Sequence, residues 1–108
     1  MATADANSNG IVNYATGKFT GAGAAVDVNL GFTPRMVRVI NATDRLTDEK
    51  YAGMAAGEVI HTVAAGTRTL DTGGHIAFAD PETDGFRGFS IIADVAINAK
   101  VLYWEAFG

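Results

Sequence analysis

Cysteine is absent from the 108 residues, which excludes a disulfide, a thiolate nucleophile and a sulfur-ligated zinc site, and leaves stability to packing or to association. Basic residues are few and scattered: eight Lys and Arg stand against twelve Asp and Glu, for a net charge of −4. Attachment to a nucleic-acid backbone draws on clustered Lys and Arg that release counterions, so no nucleic-acid partner is expected. No uninterrupted apolar run approaches the ~20 residues of a membrane-spanning helix, and no membrane partner is expected either. The N-terminal Met1-Ala-Thr-Ala-Asp-Ala-Asn-Ser8 has neither the basic start nor the apolar middle of a secretory signal. The expectation is a soluble protein made in the cytosol.

What is present points to strands. Thirteen glycines against two prolines, with many Thr and Val, suit short strands joined by tight turns, because glycine supplies the positive φ that such turns require. A hydrophobic share of 48% excludes an intrinsically disordered chain. The length suits one domain that buries roughly two-thirds of the surface its unfolded chain exposes. Residues 1–10 are small, polar and without periodicity, and predict a flexible N-terminal arm ahead of a single β-domain over 11–108.

Within that domain Ile11–Tyr14 reads as a short strand, and Thr16-Gly17 as a turn into Lys18–Thr20. Val26, Val28 and Leu30 alternate with Asp27 and Asn29, as in a half-buried strand. Pro34 delays the next strand to Met36–Asn41, where Val37 and Val39 oppose Met36, Arg38 and Ile40. Ala42–Lys50, with interspersed charges of both signs, reads as a polar crossover loop. Glu58–Val63 and Thr67–Leu70 flank Ala64-Ala-Gly66 as a hairpin, and Gly73-Gly74 turns into His75–Phe78. Asp80–Gly85 is a loop between strands; Phe86–Ala93 and the terminal Val101–Phe107 complete the set. The sum is all-β: a small antiparallel β-sandwich or jelly-roll-like barrel of about eight short strands.

Chemistry-bearing patterns are sparse. His61 and His75 each lie in a predicted strand with no second imidazole at metal-ligand spacing, and read as structural or surface residues. Ser90 lacks the glycine pattern and the strand-turn-helix setting of a nucleophile elbow, and Ser8 lies in the arm. Gly21-Ala-Gly-Ala-Ala-Val26 has valine where a dinucleotide fingerprint needs its third glycine, and a strand follows it. Asp80, Glu82 and Asp84 alternate as carboxylates that could meet a hard cation, but the closing bidentate glutamate of a calcium loop is missing. The expectation is therefore no enzyme, with no catalytic residue, no cofactor and no metal site.

The aromatic residues are more informative. In the last strand Tyr103, Glu105 and Phe107 share one side, and Leu102, Trp104 and Ala106 share the other. A terminal strand that is apolar on both sides is either central in the sandwich or covered by a neighbouring molecule. Self-association, as a trimer, follows from such two-sided strands in a domain too small to cover them. The residues expected to contact another copy or a larger partner are Ile11, Val12, Tyr14, Met36, Arg38, Tyr103, Trp104 and Phe107.

Lys18-Phe-Thr-Gly21, Val26-x-Val-x-Leu-Gly-Phe-Thr-Pro-Arg-x-Val-Arg-Val-Ile-Asn41, Glu49-Lys-Tyr-x-Gly-Met54 and the closing Tyr103-Trp-Glu-Ala106 together resemble small proteins of tailed bacteriophages encoded beside the capsid genes. The resemblance spans most of residues 17–107 and is to head decoration, or cement, proteins and related virion components. It implies a β-rich, non-enzymatic domain that binds a shell of major capsid protein in many copies, often as a trimer, and it assigns no site residues. The alternative is a receptor- or glycan-binding module of a tail fibre, with exposed aromatics stacked on sugar rings and Asp80–Gly85 making polar contacts. A broad apolar patch favours shell or subunit contact; a groove with one or two exposed aromatics favours a ligand.

Overall fold

A computed structural model describes residues 13–108 of the chain. Alternating burial along β3 (Met36–Asn41) sets the architecture: Val37, Val39 and Asn41 are buried, and Met36, Arg38 and Ile40 are half-buried on the other side. The strand lies between β4 (Leu46–Tyr51) and β9 (Val101–Phe107), in a six-stranded antiparallel sheet completed by β1 (Tyr14–Thr20) beyond β9, and by β5 (Val59–Thr62) and β6 (Arg68–Asp71) beyond β4. A second antiparallel sheet has β8 (Gly88–Ile91) between β2 (Val26–Asn29) and β7 (Ile76–Phe78). The two make a small β-sandwich, as expected. Val37, Val39, Val59 and Leu102 from the large sheet meet Phe89, Ile76 and Ile91 from the small one, all at most 1% exposed.

Two local expectations are corrected. Thr16-Gly17 is not a turn: β1 runs unbroken through it, because Gly17 lies beneath the Trp104 indole, whose Cζ2 would be 2.7 Å from a Cβ there. Glycine inside a strand here serves close approach rather than a bend. Ala42–Lys50 is not a polar crossover: β4 occupies Leu46–Tyr51, in the middle of the large sheet. A tight connection makes this possible. Asn41 Oδ1 accepts from the amides of Thr43 and Asp44, at 3.0 Å each, and Arg45 takes a left-handed φ of 59°. The nine strands among the described residues accord with the expected set of about eight.

Asp80–Gly85 is the loop foreseen, wound into one helical turn over Pro81–Asp84. Asp80 caps it by accepting from the Glu82 amide, and Gly85 closes it at φ 78°. Among the described residues, no helix is long and apolar enough to cross a membrane.

Candidate functional site

Directly opposed residues in an antiparallel pair share a face, so the registers assemble the outer face of the large sheet. Arg38 stands opposite Glu49 of β4 and Glu105 of β9, and its guanidinium bridges both carboxylates: Nη1 donates to Glu105 Oε1, and Nη2 donates to Glu49 Oε2 at 3.3 Å. Glu49 also accepts from Arg68 Nη2 at 3.2 Å and from the Tyr51 hydroxyl at 2.8 Å. Tyr14 reaches Glu105 Oε2 at 3.4 Å. Burial opposes the charge on Arg38, but the hydrogen bonds and charges of Glu49 and Glu105 outweigh it and raise its pKa above the ordinary arginine value. The Tyr51 hydroxyl is likewise pushed up, first by its hydrogen bond to Glu49 and then by desolvation.

Around this network stand apolar side chains. Tyr14, Tyr51, Leu70 and Tyr103 all fall on the outer face by register, and are 53%, 41%, 56% and 44% exposed. Met36 and Phe107 share it, with the Phe107 ring 4.8 Å from that of Tyr14. Of the residues expected to make contacts, Tyr14, Met36, Arg38, Tyr103 and Phe107 are thus brought together on one surface. Trp104 is not: it turns inward, edge-on to Phe89 at 5.5 Å. Ile11 and Val12 lie outside the described residues. A shallow depression of about 140 Å³ is bounded by Thr16, Ile40, Tyr103, Trp104 and Glu105.

The inner face holds a second cluster. β4 turns Asp48 inward beside Val39, and its partner across the ladder is His61 of β5. His75, just ahead of β7, approaches from the small sheet. Both Nδ1 atoms lie 2.8 Å from the same oxygen, Asp48 Oδ1, and the rings meet edge to face with centroids 5.4 Å apart. Asp71 Oδ1 lies 3.5 Å from His75 Nε2 and accepts from the Gly73 amide at 2.7 Å. A cavity of about 30 Å³ adjoins the cluster, walled by Asn41, Asp94 and apolar side chains. Lys50, also inward, does not join it: its Nζ donates to the carbonyls of Ala55 at 3.1 Å and Glu58 at 2.8 Å.

His61 and His75, which read from the sequence as structural or surface residues, meet at Asp48, a convergence that their spacing does not reveal. Asp48, Glu49 and Lys50 are three consecutive buried charges, each of which requires a partner: Asp48 has the two histidines, Glu49 has Arg38 across β3–β4, and Lys50 has backbone carbonyls, but only the fold shows that the run is buried. Ser90, by contrast, pairs with Asp27 and Ala77 on the side of β8 opposite the inward-facing Phe89 and Ile91, away from both imidazoles. The carboxylate and histidines can hold a cation or a hydrogen-bonded cluster, and no serine nucleophile joins them among the described residues.

Comparison with known proteins yields no relative: no family model matches the chain, and neither a curated protein nor a solved structure matches it.

Proposed function

We propose that this chain is a non-enzymatic structural protein of a tailed-bacteriophage virion. It binds the shell of major capsid protein in many copies as a decoration protein that stabilises it, and associates with itself as a trimer. It is made in the host cytoplasm and resides on the capsid surface. The observation that carries this reading is the breadth of the outer face: four exposed large side chains, Tyr14, Tyr51, Leu70 and Tyr103, are spread over it rather than gathered in a groove. Exposed aromatic and apolar side chains around the Arg38 network offer a surface for protein contact, and Tyr and Arg are the residue types that interfaces enrich. Symmetric repetition lets individually weak contacts hold such a protein on a shell.

Co-sedimentation with capsids assembled from a tailed-phage major capsid protein, before and after expansion, tests it. The chain should pellet with shells, and Leu70→Ser with Tyr103→Ser should abolish pelleting while leaving the melting temperature nearly unchanged. A chain that stays in the supernatant with both forms of the shell overturns the reading. The depression beside Tyr103 supports a second reading, a receptor- or glycan-binding module of a tail fibre. Saccharide-induced shifts of the Tyr103 ring resonances, without shell binding, would establish that one instead.

A further inference from the structure

We propose that Asp48, His61 and His75 form a binding site for a divalent transition-metal ion, zinc foremost, seated between the two sheets. One ligand atom from each residue lies within 4.8 Å of the other two. Tetrahedral zinc with bonds of ~2.1 Å spaces its ligands ~3.4 Å apart, so the two Nδ1–Oδ1 separations of 2.8 Å need open by only about half an ångström. Two imidazoles and one carboxylate select zinc and its neighbours over magnesium or calcium, which take all-oxygen shells.

Charge, orientation and space agree. The Asp48 side chain is only 5% exposed, and its ion-pair partners among the described residues are the two histidines alone. A buried carboxylate needs a cation or a metal, yet the nearby Lys50 is committed to two backbone carbonyls. On its far side His75 faces Asp71, 3.5 Å from Nε2, the placement by which an outer carboxylate holds a ligating imidazole with its other nitrogen toward the metal. The adjoining cavity of about 30 Å³ exceeds the ~10–15 Å³ that a water molecule needs, which leaves room for a fourth ligand: water, or the Asp94 carboxylate on the same wall. An ion there ties β4 and β5 of the large sheet to the entry of β7 in the small one. In a chain with no cysteine it supplies the cross-link that a disulfide would.

The test uses the untagged full chain, stripped with chelator and dialysed against metal-free buffer. Calorimetric titration with zinc chloride should give one ion per chain, and the melting temperature should climb with zinc concentration by mass action. Cobalt(II) should develop the visible absorption of a tetrahedral nitrogen–oxygen site. His61→Gln and His75→Gln should each abolish binding, Asp71→Asn should weaken it roughly tenfold, and Glu82→Gln in the exposed acidic loop should leave it unchanged. Because a histidine variant could fail to fold, the cobalt spectrum of the unaltered chain stands as an independent readout. Absence of saturable zinc binding, an octahedral cobalt spectrum, or stoichiometric binding that survives both histidine substitutions in folded protein overturns the proposal.

Discussion

Arg38 shows how much one side chain can organise. Its planar guanidinium spans two neighbouring strands because Glu49 and Glu105 sit in register on either side of it, a geometry that a point-charge ammonium cannot reproduce. Arg38→Met should lower unfolding free energy by about 1–3 kcal/mol, the range for a polar group left unsatisfied, and Arg38→Lys should recover only part of it; urea denaturation measures both. Tyr51 supplies a pH dependence. Its folded pKa is raised above the ordinary value of 10.0, so the hydroxyl contributes stability that is present below pH ~10 and is lost as pH rises through the folded pKa. A tyrosinate absorbance titration should show a component above the ordinary value that Tyr51→Phe removes, and the same substitution should flatten the alkaline fall in stability.

Elements are shaped here by close approach as much as by propensity. β1 continues through Gly17 because the single tryptophan packs over it. Gly17→Ala should push the Trp104 indole off its seat, shift its fluorescence to the red and cost about 1–3 kcal/mol as overpacking. β2 and β8 approach even more closely: a Cβ at Gly88 would stand 1.9 Å from the Val28 carbonyl oxygen. Backbone cannot yield as a side chain does, so Gly88→Ala should destabilise more than Gly17→Ala in the same thermal melts. The alternation of Val26–Asn29, Met36–Asn41 and Val101–Phe107 was legible because each has a core side rich in apolar residues. β4 was not, since its inward positions are Leu46, Asp48 and Lys50, and a strand that buries charges reads by composition as a solvated loop.

For the whole molecule, the large sheet ends in β1 and β6, each with an unpaired edge among the described residues. Exposed edges invite pairing with another chain; here Lys18 stands on one, and the other is a short strand bounded by Arg68 and Asp71. The outer face carries exposed Tyr14, Tyr51, Leu70 and Tyr103, and the proposed trimer draws on it. Sedimentation at high micromolar concentration should give a mass above that of the monomer, approaching three chains, and Leu70→Asp should return it to the monomer; a monomeric mass for the unaltered chain counts against a trimer in solution.

Period-two patterning, glycine-rich turns and the lack of long apolar or helical stretches determined by themselves that this chain is all-β, a sandwich or a jelly-roll-like barrel, because which face of a strand is buried is written in alternate residues; the two-sheet arrangement itself came from the structure. The same local code placed Tyr14, Met36, Arg38, Tyr103 and Phe107 as surface candidates. Only the tertiary structure decided that they share one face, that Trp104 leaves it for the core, and that Asp48, His61 and His75 converge. Those outcomes depend on strand order and register, which bring together residues 13 and 27 positions apart, and no local period encodes a separation of that kind.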